Sequence, residues 1–296
     1  MTTRSIGISS FVLASPFTDG DTHYFEYARD IGFEVFEVCV EEPALLSAGP
    51  LIEAAASTGM QVSVCGAFGP DRDVSHEDAA RRAQGVRYLE GCIDLAAAVG
   101  SPHVAGPMYS ATGKARLLPP EEREQQRVWA VESLRQAADY AGERGVRLAI
   151  EPLNRFETDL VNTVEQGLDL CRRTGRDNVG LMLDTFHMNI EEKSISAAMA
   201  MAGDRLFHMQ VAENDRGTPG SGHVPWEEVF GALDAVGYSG PIVIESFLPT
   251  VAEIARAVSL WRPVAPSMDA LARDGYAFVR AFQGGKGAWG FDNSPT

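Results

Sequence analysis

The sequence predicts a single α/β domain built as a (β/α)8 TIM barrel, and three observations carry that expectation. Eight short apolar runs rich in Val, Ile and Phe recur along the 296 residues. Amphipathic stretches with helical spacing lie between them, and many of these end in a glycine just before the next run. Strands that alternate with helices of this length imply right-handed crossovers and a parallel sheet, and eight such units fit a closed barrel.

In chain order, the first strand is expected at 5–14, directly after MTTR. One Arg followed by a short apolar run reads as a strand and not as a signal peptide. Gly32 closes a helix before the second run, 35–40 (VFEVCV), and Gly59 does so before the third, 61–67. A left-handed C-cap asks for glycine at such places. A helix at 79–99 ends at Gly100, and 103–109 is the fourth strand. The helix at 120–143 opens with Pro-Pro-Glu-Glu, a start signal, and Gly145 separates it from the fifth strand, 146–154. A helix at 164–173, with Gly175 beyond it, leads to the sixth strand, 179–189. The seventh lies at 206–213, then a helix at 227–236, Gly237 and the eighth strand at 241–247. An open doubly wound sheet is the alternative, but no Gly-x-Gly-x-x-Gly or Gly-x-x-x-x-Gly-Lys loop follows any strand. The barrel is assigned to 1–284 and a C-terminal tail to 285–296, with Trp289 and Phe291 available to dock.

Composition narrows the function. A net charge of −16 argues against general affinity for nucleic acid or an anionic membrane, where a basic surface does the electrostatic work. No stretch approaches 18 uninterrupted apolar residues, so no spanning helix is expected. Cys39, Cys65, Cys92 and Cys171 are far apart and form no CxxC. They fit reduced, packed thiols of a cytoplasmic protein better than a disulfide frame or a zinc site.

The working residues of such a barrel sit at the C-terminal ends of its strands. Strand five ends in Glu151, strand six in Asp184 and strand eight in Glu245, while strand seven carries His208 and Gln210. Side chains alternate along a strand, so Val243 and Glu245 share the barrel-facing side, and His208 and Gln210 share one face. Four consecutive strands thus aim Glu, Asp, Gln (or His) and Glu at one volume. Three clustered carboxylates repel and raise one another's pKa unless a cation sits among them. An oxygen-rich set points to a hard divalent ion, Mn²⁺ or Mg²⁺, with Co²⁺ as a further option. The bland reading of one such acid is a helix cap or surface ion pair, and Asp184 alone would serve as a cap. Four in succession inside apolar runs are hard to explain that way. Glu37 is read as a structural partner before a substrate contact, and His23, His76 and His103 as structural or exposed. His187, three residues past Asp184, and Glu157 and Arg216, on loops beyond strands five and seven, are candidates to face a ligand. Phe11, Phe68, Met108 and Tyr109 either line the pocket or merely cap the barrel.

The segments EPLNRFET, DTFHMNIEE, ENDRGTPGSGHVPW and VIESF resemble the D-tagatose/D-psicose 3-epimerase family, within the xylose-isomerase-like barrel superfamily. The resemblance is strongest over about 146–247. It implies a metal held at Glu151, Asp184, position 210 and Glu245, and a ketose gripped by Glu157, His187 and Arg216. The family's histidine ligand is Gln210 here, with His208 two residues earlier. A branch similar to hydroxypyruvate isomerases has the same H-x-Q and uses the amide oxygen. The implied chemistry is 3-epimerisation of free ketohexoses through a C2–C3 enediolate. Glu151 and Glu245 act as acid and base, with no organic cofactor. The alternatives are a hydroxypyruvate-type or aldose–ketose isomerase and a keto-sugar or glycoside lyase with the same metal site. A multi-zinc abasic-site endonuclease is disfavoured by six histidines and the acidic charge. A sugar-binding barrel without catalysis is disfavoured by the presence of both glutamates. No phosphate cradle is evident, although the GTPGSG segment beyond Arg216 leaves that question open. The resemblance further implies a homodimer or homotetramer, for which 241–261 and the last helix offer either an interface or plain barrel exterior.

Overall fold

The computed structural model describes residues 2–284; the expected tail at 285–296, with Trp289 and Phe291, lies outside the described residues. The eight strands are β1 (Ile6–Ser9), β2 (Val35–Val40), β3 (Gln61–Gly66), β4 (His103–Gly106), β5 (Arg147–Ile150), β6 (Val179–Asp184), β7 (Leu206–Val211) and β8 (Ile242–Ile244). They pair in parallel in chain order, and β8 returns to β1 to close the barrel. Gly7 is in register with Val35 on one side and Val243 on the other. The closure needs a glycine there: a Cβ at Gly7 would stand 2.9 Å from Val243 Cγ2 and 3.1 Å from the Val35 carbonyl. The open-sheet alternative is not realised.

The helices are α1 (Tyr24–Ile31), α2 (Ala48–Thr58), α3 (Ala79–Val99), α4 (Pro120–Gly142), α5 (Val164–Thr174), α6 (Thr185–Glu191), α7 (Ile195–Ala202), α8 (Trp226–Ala235), α9 (Ala252–Ala257) and α10 (Met268–Gln283). Side chains start several of them: the Asp78 carboxylate accepts from Ala80 N at 2.8 Å, and Thr163 Oγ1 accepts from Gln166 N at 3.3 Å. Such caps are worth about 1 kcal/mol each. The last helix, α10, lays Leu271, Phe278, Val279 and Phe282 on the barrel exterior against β1 and β8. That face is therefore spent on the fold; each such burial is worth about 1.5–3 kcal/mol.

Several runs are longer than the strands they contain. The run 5–14 stops at Ser9 and turns through a short 3-10 helix, Ser10–Val12. In the run 179–189 the strand stops at Asp184 and α6 begins at the next residue, so His187 sits on a helix and not in the expected strand. Apolar continuity alone cannot separate a buried strand from a buried helix turn. The Asp184 side chain makes the break by accepting from Phe186 N at 2.9 Å.

Odd and even positions divide as alternation requires. Cys39, Cys65, Ala105, Ala149 and Met182 pack with Phe11 and Phe247 inside the barrel, while Ile242, Ile244, Met209 and Val211 join the core shared with the helices. All four cysteines are free and buried. Among the described residues no helix is long and apolar enough to cross a membrane.

Candidate active site

The C-terminal mouth of the barrel gathers all seven residues singled out from the sequence: Glu151, Glu157, Asp184, His187, Gln210, Arg216 and Glu245 are each at most 4% exposed. Glu151, Asp184 and His187 each offer a ligating atom within 4.8 Å of the others. Asp184 has two uses at once. Its Oδ1 caps α6, and its Oδ2 turns into the mouth to pair with Arg216. The bland and the functional readings of this residue therefore coexist on its two oxygens.

Arg216 is the cation of the site. Its Nη1 contacts Asp184 Oδ2 and lies 3.2 Å from Glu245 Oε2, and its guanidinium rests over the rings of Phe186 and Phe247 at 4.3 and 5.2 Å. It does this from a left-handed backbone, φ 68°, which costs a non-glycine residue about 1–3 kcal/mol. The turn is held from both sides: Arg216 N donates to the Glu213 carbonyl at 3.0 Å, and Ser246 Oγ donates to the Arg216 carbonyl at 2.7 Å. Glu213 in turn is fully buried and gathers the GTPGSG loop. Its carboxylate accepts from Trp226 Nε1 (2.7 Å), Gly220 N (2.9 Å), Asn214 N (3.1 Å) and Val224 N (3.2 Å).

Asn154, inside EPLNRFET, organises the opposite wall, a role not read from the sequence. Its Nδ2 donates to Glu157 Oε1 at 2.8 Å and approaches His187 Nδ1 at 2.9 Å, while its backbone N–H donates to that same Nδ1 at 3.0 Å. Nδ1 is thereby faced by donors. Nε2 lies 2.8 Å from Arg216 Nη2, which can only donate, and 3.5 Å from Glu151 Oε1. Its place within EPLNRFET was the signal in the sequence; in the structure Asn154 Oδ1 also accepts from Phe156 N at 2.9 Å.

Beneath the mouth lies a second polar layer. Glu37 accepts from Gln210 Nε2 at 2.6 Å and from Ser63 Oγ at 3.1 Å, and His208 Nε2 stands 2.6 Å from its other side. Ser63 Oγ also meets His103 Nε2 at 3.1 Å. Glu37 is thus a structural partner, as expected, and His103 is structural. His208 belongs to this layer and not to the mouth. Cys39 and Cys65 come together beside Glu37.

The charges are ill at ease. Burial, then Glu245 and Asp184, push the Glu151 carboxyl well above the ordinary range. Burial lifts Glu245 to about 8 against the pull of Arg216, with Asp184 and Glu37 adding to it. Burial raises Glu157 as well, and burial with the Arg216 charge drives His187 well below its usual value. In the lower layer burial opposes ionisation of Glu37, but His208 and the donors around it hold its pKa low.

Glu151, Asp184 and Glu245 could hold a divalent cation together with Gln210 Oε1. That amide oxygen is buried with no hydrogen-bond partner among the described residues, because both N–H groups go to Glu37 and Glu245. The donor set is all oxygen, which suits a hard ion. A cavity of about 390 Å³ opens over it, lined by Glu151, Glu157, His187, Arg216, Glu245 and the rings of Phe11, Phe68 and Phe247. That volume is ordinary for a small-molecule pocket. Met108 and Tyr109 cap the barrel instead: both are buried in the outer core, and the Tyr109 hydroxyl donates to the Val161 carbonyl at 2.9 Å. A larger cavity of about 510 Å³ lies alongside, but it holds none of the clustered acids.

A closed barrel with a carboxylate-lined mouth defines a class, and the family described as "Xylose isomerase-like TIM barrel" matches residues 25–277. An L-ribulose 3-epimerase of Mesorhizobium japonicum is 34% identical over 277 residues, 93% of this chain and 92% of the relative. A D-psicose 3-epimerase of Agrobacterium fabrum is 32% identical over 272 residues, 88% and 93% of the two chains. The crystal structure of a D-allulose 3-epimerase from Methylomonas sp. in complex with D-allulose matches with a TM-score of 0.87 at 27% identity, covering 95% of this chain and 97% of that one. The chain belongs to the ketose 3-epimerase family of xylose isomerase-like barrels, and is an epimerase of the isomerase class.

Proposed function

We propose that this epimerase acts on free ketohexoses at C3, with Glu151 and Glu245 as its acid and base. One observation carries the reading: two buried glutamates, one directly after β5 and one directly after β8, face one cavity. Carboxyls that reach a substrate from two different strands can serve as proton acceptor and proton donor. Glu151, Asp184, Gln210 and Glu245 are assigned to a divalent ion, Mn²⁺ with Mg²⁺ or Co²⁺ as substitutes. When bound, the ion supplies a Lewis acid that makes the hydrogen beside a carbonyl removable.

One glutamate takes the C3 proton and the other delivers a proton to the opposite face, the assignment reversing with the direction of reaction. Arg216 Nη2 and His187 Nε2 lie 2.8 Å apart at the cavity wall, and the guanidinium is placed to donate to an oxygen that gains negative charge at C2. Glu157, fixed by Asn154, accepts from a sugar hydroxyl. Phe11, Phe68 and Phe247 line the cavity and exclude water from the reacting carbon. Glu213 already takes the amide of Gly220 in the GTPGSG loop and that of Val224 just beyond it, which supports an unphosphorylated substrate. Four unpaired thiols support a cytoplasmic setting, and a homodimer or homotetramer is the assembly that the sequence resemblance implies.

Proton exchange in D₂O tests the assignment. With Mn²⁺ and D-fructose, D-psicose or D-tagatose, NMR is expected to show deuterium at C3 together with the 3-epimer. Deuterium at C1 with an aldose product would instead assign an aldose–ketose isomerase. Absence of exchange in metal-loaded protein would remove simple ketoses as substrates.

A further inference from the structure

We propose that Glu37, from the layer below the site, is a positioning residue that fixes the amide of Gln210 with its oxygen toward the metal. This rests on the assignment of Gln210 as a ligand. An amide can present either end, and only its surroundings decide which.

Here the surroundings decide it by hydrogen-bond polarity. Glu37 lies on β2, three strands round the barrel from β7, and is fully buried. Its Oε2 receives the Ser63 hydroxyl at 3.1 Å and faces His208 Nε2 at 2.6 Å. Its Oε1 is left to Gln210 at 2.6 Å. A carboxylate ringed by donors can only accept, so it must meet the NH₂ end of the amide. The second N–H of that group goes to Glu245 Oε1 at 3.0 Å. Both hydrogens are then committed to carboxylates, and Oε1 is the buried atom left without a partner. Groups behind a metal ligand commonly set its orientation in this way, and losing one typically weakens metal binding about 10–100-fold.

The chain thus carries a three-part device across the barrel: Ser63 holds Glu37, Glu37 turns Gln210, and Gln210 offers its oxygen. A glutamine at position 37 breaks the device while keeping the shape, because a neutral amide can donate as well as accept and no longer dictates which end of Gln210 it meets.

Mn²⁺ affinity, read by EPR titration of the full-length protein, tests this without reference to turnover. Glu37→Gln is expected to weaken binding by about 10–100-fold, and Gln210→Leu to weaken it at least as much. In the Gln210→Leu background the further change Glu37→Gln should alter affinity by less than about threefold, since its effect passes through Gln210. An equal loss in both backgrounds would overturn the inference, as would no loss from Glu37→Gln alone. No loss from Gln210→Leu would overturn the ligand assignment itself, and the inference with it. Electron–nuclear double resonance of wild-type protein with Mn²⁺ needs no variant to fold. It should show no directly bound nitrogen from position 210, whereas Gln210→His should introduce one. A nitrogen coupling lost from the wild-type spectrum on Gln210→Leu would refute an oxygen-facing amide.

Discussion

Replacing Asn154 by alanine removes one side chain that never touches the reacting carbons, and the cost can be worked from its contacts. The substitution deletes the 2.8 Å donation to Glu157 Oε1, the 2.9 Å approach to His187 Nδ1 and the 2.9 Å bond from Phe156 N, but keeps the backbone donation to His187. His187 therefore keeps a donor at Nδ1, and the main loss is a charge-assisted hydrogen bond to a buried carboxylate, about 1.5–3 kcal/mol. At about 1.4 kcal/mol per tenfold, a loss near 2 kcal/mol lowers kcat/KM roughly 30-fold. Because Glu157 grips the sugar before and during the reaction, most of this should appear in KM. Steady-state kinetics on D-fructose, with thermal melting to confirm an intact fold, is the assay. Asn154→Asp should be worse than Asn154→Ala, since it sets a second carboxylate beside Glu157 and removes the donor. A folded Asn154→Ala enzyme with kcat/KM within threefold of wild type would refute the positioning argument, and an Asn154→Asp enzyme as good as wild type would refute the donor.

Glu151→Gln and Glu245→Gln should each lower kcat by at least about 10³-fold, since general acid–base catalysis alone is worth 10²–10⁴-fold; a loss under tenfold in either, measured by epimer formation, would remove that residue from the proton transfer. The metal-free protein should lose thermal stability between about pH 6.5 and 8. Glu245, raised from 4.5 to about 8, holds a proton there that the unfolded chain has released, and the opposing contribution of His103 and His187, whose ordinary value is 6.5, has ended. A Tm that rises with pH over that window would contradict the shift, and Mn²⁺ should flatten the slope while releasing protons to a pH indicator. Glu213→Ala strands four donors, so it should lower Tm by several degrees and raise KM through Arg216. An unchanged Tm would show that the loop does not depend on this anchor.

Much of the fold was legible because the strongest signals were local. The run 35–40 and the helix 79–99 coincide with β2 and α3, where an apolar stretch broken only by Glu37 and a capped, glycine-ended pattern leave little choice. The stretch 179–189 misled because TFHMNI is as apolar as a strand, and only the Asp184 cap converts it to α6. At the site, alternation along β7 and β8 sufficed to aim Gln210 and Glu245 inward, and the structure brings them to Glu151 and Asp184. What sequence could not supply were pairings across the barrel. Gln210 and Glu37 are 173 positions apart, and Asn154 and His187 are 33 apart. Either partner alone reads as an ordinary polar residue, and the meaning lies in which end of one side chain meets which end of the other.

Glu213 sets a limit on how the specificity of this scaffold can be altered. The loop after β7 is where many barrels of this shape receive a phosphoryl group, and an engineer seeking a sugar-phosphate epimerase would begin by adding arginines there. In this chain the seat is taken by a built-in anion: the amides of Gly220 and Val224 and the indole of Trp226 already converge on a carboxylate. Gly222 is packed so tightly against it that a Cβ would fall 2.5 Å from Glu213 Oε2. New positive charge at the rim would therefore meet a neutralised loop. Vacating Glu213 would free those amides but also loosen the turn that presents Arg216. Recognition of phosphate and retention of the catalytic arginine compete for one side chain, so a switch of substrate class would require rebuilding the loop as a unit.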